Sequence, residues 1–87
     1  MARVHIPALL RDATEGREWV DASGSTVRDV VAALESTHPG LRGLLVREGK
    51  LLPSLAIAVD GEISSLGLGE PVGPETEVQF LTAIKGG

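Results

Sequence analysis

Hydrophobic and polar positions alternate at once in this chain. In Ala2-Arg3-Val4-His5-Ile6, Val4 and Ile6 fall on one face and Arg3 and His5 on the other. That period of two is the signature of a half-buried strand. Pro7 ends or edges it. Ala8-Leu9-Leu10-Arg11 then leads into a polar turn, Asp12-Ala13-Thr14-Glu15-Gly16. Residues Arg17 to Ala22 read as a returning strand, with Val20 and Ala22 inward and Trp19 outward or at an edge. The first element is therefore a hairpin.

The period changes after the loop Ser23-Gly24-Ser25. Val27, Val30, Val31 and Leu34 stand at i, i+3, i+4 and i+7, which is one apolar stripe on a helix. Thr26 is a suitable N-cap. Asp29, three residues on, completes a capping box and meets the positive end of the helix dipole. The helix must end near His38, because Pro39 disfavours helical backbone in the residue before it.

Residues Leu41 to Arg47 are read as one or two helical turns whose leucines cap one end of the core. Glu48-Gly49-Lys50 is a loop. Leu55, Ile57 and Val59 alternate with Ala56 and Ala58 as a strand, and Asp60-Gly61 is a strong turn signal. Glu62-Ile63-Ser64 is a short edge strand, and Ser65 to Thr76, rich in Gly and Pro, is loop. Glu77 to Thr82 is the last strand, with Val78 and Phe80 inward and Gln79 and Leu81 outward.

The element order predicts an α+β fold: a mixed sheet of four to five strands with one long helix packed on one face. The first and last strands carry the cleanest alternation and the bulkiest inward residues, so they are expected side by side at the centre. The division expected is a domain over 1–83 and a flexible tail over 84–87.

Composition narrows the function classes. A chain of 87 residues is one domain with a modest core. With Trp19 and Phe80 its only Trp, Tyr or Phe residues, the core must be aliphatic. There is no cysteine. That excludes a disulfide framework and a thiolate metal site, and it suits a reducing cytoplasm. No apolar run approaches the ~18 residues of a membrane span, and no signal-peptide pattern is present. The net charge is −4 with scattered basic residues, so neither a membrane nor nucleic acid is the expected partner.

Few side chains offer chemistry. His5 and His38 lack paired spacing and read as solvated surface histidines, so no metal site is expected. Gly67, Gly69 and Gly73 do not have dinucleotide-fingerprint spacing. Asp29 and Glu35 read as helix-surface acids, and Glu75 and Glu77 as turn residues. The chemistry falls instead to the end of the chain, Ile84-Lys85-Gly86-Gly87. Two glycines make a thin tail free of Cβ clashes that can enter a narrow slot. A carboxylate with a pKa near ~3.5 is a poor electrophile. It must first be activated, most simply as a mixed anhydride with AMP. The tail fits a carrier that presents Gly87 to a partner enzyme, with an inert end on a plain binding module as the alternative. Gly86, Lys85 and Ile84, with the outward Leu81, are the expected partner-binding residues, and the protein is not expected to be an enzyme by itself.

The whole chain resembles the ubiquitin-like β-grasp sulfur carriers, the group containing the small subunit of molybdopterin synthase and the thiamin-pathway sulfur carrier. The likeness lies in the element order, Gly24-Ser25-Thr26-Val27 at the helix start, His38-Pro39-Gly40-Leu41 at its end, the Val59-Asp60-Gly61 turn and the Gly86-Gly87 terminus. Ile6-Pro7-x-x-Leu10-Arg11 and Thr14-x-Gly16 look most like the actinobacterial carriers of cysteine biosynthesis. The resemblance implies that an E1-like activating enzyme uses ATP and magnesium to adenylate Gly87, with no cofactor bound by the carrier itself. A sulfur donor then displaces AMP to leave a thiocarboxylate, which delivers sulfide to a sulfur-accepting synthase. Cysteine or a specialised sulfur metabolite is favoured as the product, with the small subunit of molybdopterin synthase as an alternative. Lys85, a basic residue before the two glycines as in ubiquitin itself, keeps a second alternative open, a protein modifier conjugated through Gly87.

Overall fold

The structure, a computed structural model, describes residues 1–82. Strands β1 (Ala2–His5), β2 (Trp19–Ala22), β5 (Leu55–Val59), β6 (Glu62–Ile63) and β7 (Glu77–Thr82) form one mixed sheet in the order β2-β1-β7-β5-β6. The first and last strands are central neighbours and run parallel, with Val4 abreast of Val78 and His5 of Gln79. β5 pairs antiparallel with the other side of β7, from Val59–Val78 to Leu55–Thr82. A separate two-stranded hairpin joins β3 (Val46–Arg47) to β4 (Lys50–Leu51).

The helix α1 (Val27–Thr37) lies over one face of the sheet and buries Val27, Val30, Val31 and Leu34. They meet Val4, Val20, Ala22, Ile57, Val78 and Phe80 from the strands, while Ile6, Leu41, Leu45 and Leu68 join the same core. Burying one such side chain contributes roughly 1.5–3 kcal/mol.

The helix starts as its capping chemistry dictates. The Asp29 backbone N–H donates to the Thr26 hydroxyl at 3.3 Å. The Asp29 carboxylate reaches one residue beyond the expected capping-box partner. It accepts from the Ser25 backbone N–H at 3.2 Å and from the Ser25 hydroxyl at 3.0 Å. At the other end His38 has ψ 78°, outside helical space, as the following Pro39 requires. The close turn before α1 needs Gly24. A Cβ there would stand 2.6 Å from the Asp29 Cβ and 2.8 Å from the Val30 nitrogen.

Several segments differ from the sequence expectations. Residues 41–47 are not helical beyond the 3-10 turn Pro39–Leu41. The left-handed pair Glu48 (φ 54°) and Gly49 (φ 76°) forms a two-residue hairpin turn. That turn pairs Arg47 with Lys50. Of the three leucines expected to cap the core there, Leu41 and Leu45 are buried, but Leu44 is exposed. The segment after Pro7 and the first three residues of the expected polar turn Asp12–Gly16 form a 3-10 helix, Ala8–Thr14. Its three-residue repeat sets Leu10 and Ala13 against the core. The buried Thr14 hydroxyl is within hydrogen-bond distance of the Arg11 and Arg17 carbonyls, at 3.2 and 2.9 Å. The second strand begins at Trp19 rather than Arg17. The loop 65–76 contains a further 3-10 turn, Gly67–Gly69, and Pro71 bridges to Thr26.

Two outcomes follow for the helix start. Gly24→Ala is expected to cost about 2 kcal/mol or more, since the new methyl meets backbone as well as side-chain atoms; the midpoint of urea unfolding measures it. The Asp29 carboxyl is held below its ordinary 3.8, first by the Ser25 backbone N–H, then by the Ser25 hydroxyl and Thr26. A depressed folded-state value adds stability that is fully present above 3.8 and is lost as pH falls through the folded value. The melting temperature of Asp29→Asn is therefore expected below wild type at neutral pH, with the gap closing under acid.

Candidate functional site

β7 carries the chain out of the sheet. β1 holds one side of it as far as Gln79, and β5 holds the other as far as Thr82. Beyond His5 the first strand turns aside. Pro7 has no N–H to give, and its carbonyl accepts from the Leu10 N–H at 2.9 Å. At the far end of β7 a tight turn starts the strand. The Thr76 N–H donates to the Gly73 carbonyl at 3.2 Å, and the Gly73 N–H donates to the Thr76 hydroxyl at 2.7 Å. Pro74 occupies its first corner. The Asp60 carboxylate accepts from the Glu77 N–H at 2.9 Å, which ties that turn to the one after β5.

Of the residues expected to bind partners, Leu81 lies on β7. It is 37% exposed and stands opposite Ala56. Its neighbour Phe80 points the other way and is 1% exposed. Ile84, Lys85, Gly86 and Gly87 lie outside the described residues.

The face of the sheet opposite α1 carries Arg3, His5, Trp19, Gln79, Ala56, Ala58 and Leu81. Near its β2 edge these form a packed cluster. The Trp19 ring meets the His5 ring edge-on, with centroids 4.9 Å apart, and the Arg3 guanidinium carbon stands 4.6 Å from the Trp19 centroid. The Glu18 carboxylate accepts from His5 Nε2 at 3.0 Å and lies 3.7 Å from Arg11 Nη2. Arg11 Nε also donates to the Ile6 carbonyl at 3.1 Å. His5 is therefore not the solvated histidine expected. Its side chain is 21% exposed, and its Nδ1 is buried with no hydrogen-bond partner among the described residues.

One other place lies away from the exit of β7. A polar cavity of about 310 Å³ sits at the Val59 end of β5, lined by Asp60, Glu62, Ile63, Ser64 and Glu70 among others. The Glu70 carboxylate there already accepts from the Ser64 hydroxyl at 2.5 Å. Among the described residues no group of three His, Cys, Asp or Glu could hold a metal ion, and no helix is long and apolar enough to cross a membrane.

Comparison with known proteins fits this geometry. The profile of the ThiS family matches residues 4–87. The chain belongs to the ThiS family. The sulfur carrier protein CysO of Mycobacterium tuberculosis is 35% identical over 89 residues, covering 97% of this chain and 96% of that protein. Among solved structures, the Amycolatopsis orientalis BexX/CysO complex contains a chain that superposes with a TM-score of 0.89 at 34% identity, over 100% of both chains. Small archaeal modifier protein 1 from Methanosarcina acetivorans gives 0.84 at 26% identity, over 99% of this chain and 95% of that one. The fold is thus the β-grasp arrangement of that family.

One exposed residue of this ThiS-family chain escaped the sequence reading. Leu9 is 83% exposed on the 3-10 helix after β1. Neither a period of two nor one of 3.6 marks that segment. The signal that could have found it is the three-residue spacing of Leu10 and Ala13 behind Pro7.

Adjacent positions on β7 are expected to respond in opposite ways. Phe80→Ala should cost about 3–5 kcal/mol of stability through the cavity it leaves. Leu81→Ser should stay within about 0.5 kcal/mol of wild type. Urea unfolding of both variants tests the assignment of the two faces.

Proposed function

We infer that this protein is a sulfur carrier that presents the C-terminal carboxylate of Gly87 for activation. The observation that carries the reading is the ThiS-family match running to Gly87. It is supported by a strand, β7, that is held on both sides and leads directly towards that end.

The chemistry is as follows. The Gly87 carboxylate attacks the α-phosphate of ATP, bound with magnesium by an E1-like enzyme, and pyrophosphate leaves. Sulfide from a sulfur donor then attacks the acyl carbon; a C–S bond forms, the C–O bond to AMP breaks, and AMP leaves. The resulting thiocarboxylate is anionic and more nucleophilic than the carboxylate, so it can pass its sulfur to an activated acceptor. The folded body, residues 1–83, supplies recognition and is not the catalyst. Residues 84–87 form the tail that enters partner active sites.

Gly86, Lys85, Ile84 and Leu81 are the residues assigned to partner contact. The reading is supported by the likeness to a CysO chain solved in complex with BexX. Cysteine or a specialised sulfur metabolite is the favoured product, in line with the CysO relatives, and the site of action is the cytoplasm. A second reading, a modifier joined to target lysines through Gly87, draws on the likeness to small archaeal modifier protein 1 and on Lys85 before the two glycines.

The intact mass of the protein, incubated with an E1-like enzyme from the same cell, ATP and a sulfur donor, tests the proposal. Exchange of one oxygen for sulfur at Gly87, absent when Gly87 is deleted, is the expected result. High-mass conjugates lost on the same deletion would favour the modifier. No change of any kind would remove both readings.

A further inference from the structure

We propose that Leu9, on the 3-10 helix Ala8–Thr14, is an anchor for the enzyme that activates Gly87. The inference rests on the carrier reading of the tail and extends the docking surface to a part of the fold distant from it in sequence.

Parallel pairing makes the connection. Because β1 and β7 run the same way, with His5 abreast of Gln79, both strands reach the same end of the sheet. Two residues further, β1 has become Pro7 and β7 has reached Leu81. The pairing ends at His5 and Gln79, so the 3-10 helix that starts at Ala8 begins at the same end of the sheet as the exit of β7. Residues 83–87 lie beyond Thr82. Five residues span at most about 17 Å when extended. An enzyme that holds Gly87 at its active site must bring its surface within that reach of Thr82. A standard interface takes about 800 Å² from each partner, equivalent to a disc of about 16 Å radius. A disc of that size about the strand exit takes in Leu81 with Ala56 and extends over the end of the sheet at which the 3-10 helix starts.

Within that rim Leu9 is the most exposed large apolar side chain, at 83%. The backbone beneath it is held in place. Leu10 and Ala13 pack against the core, and Ala13 lies against Gly40, where an added Cβ would approach to 3.3 Å. Thr14 is fully buried, and Arg11 is tied to the Ile6 carbonyl and to Glu18. A leucine displayed on ordered backbone costs a partner little conformational entropy to bury. The rim also offers Arg11 and Glu18 as a polar border, the arrangement expected around an apolar anchor.

The test is steady-state activation of the full chain by an E1-like enzyme from the same cell, followed by pyrophosphate release as the carrier concentration is varied. Leu9→Ser is expected to raise KM for the carrier about tenfold with kcat within about twofold of wild type. Leu9→Met should retain the wild-type KM. Leu66→Ser, altering an exposed leucine beside the turn that packs on α1, should also leave KM unchanged. Melting temperatures of all three variants should match wild type. An unchanged KM in Leu9→Ser, with wild-type activation intact, overturns this inference and leaves the carrier reading standing. A concentration-dependent dimer of the wild type that Leu9→Ser abolishes, without a change in KM, assigns the leucine to a second copy of the chain and also overturns it. Failure of the wild type to be adenylated by any activating enzyme of the cell removes the carrier reading and this inference together.

Discussion

The parallel contact between β1 and β7 is the constraint on which the rest of the fold depends. It joins the two ends of the described chain, so it closes the longest loop in the sheet and carries the largest closure entropy. It also sets directions. The 3-10 helix that follows β1 and the last residues of β7 therefore lie towards the same end of the sheet. An antiparallel pairing of the same two strands would put the 3-10 helix and Thr82 at opposite ends.

One face of that pair is shielded by α1 and the other is left open. The shielded face is aliphatic apart from Phe80. Val, Ile, Leu and Ala from four strands and one helix fill it, with Leu41, Leu45 and Leu68 closing its margins. The open face is a mixture. Arg3, Trp19, His5, Glu18 and Arg11 knit its β2 side into a network of ring, ion-pair and hydrogen-bond contacts. Leu81 and Ala56 leave its β7–β5 side smooth and apolar. Such a division suits a protein that is recognised by others, because partner contact needs an ordered surface more than it needs reactive side chains. Asp29 and Asp60 are engaged in a cap and a turn, and His5, Arg11 and Glu18 in a surface cluster. The reactive group assigned to this protein is a main-chain carboxylate.

Much of this was legible in the sequence, because the physics involved is local. Alternation in residues 2–6 and 77–82, the Val27–Leu34 stripe, Thr26 as cap and Pro39 as stop each act within a few residues. The structure places them as expected, and the bulk of Phe80 and Val78 marked the centre of the sheet. What was misread lay where local signals were silent or ambiguous. The leucines of 41–47 fit a helical turn equally well, until Glu48 and Gly49 adopt left-handed backbone and fold the segment into a hairpin. His5 looked solvated because alternation says which face a residue takes, not what its neighbours on that face do with it.

The sequence by itself determined the element order and the identity of the inner and outer faces. Periodicity and capping carry that information, since each is a property of neighbours along the chain. The tertiary structure alone decided that the 3-10 helix after β1, which carries Leu9, starts at the same end of the sheet as the end of β7, which carries Leu81. Those residues are more than seventy positions apart. Only the register of a parallel strand pair, which no local pattern encodes, brings them together.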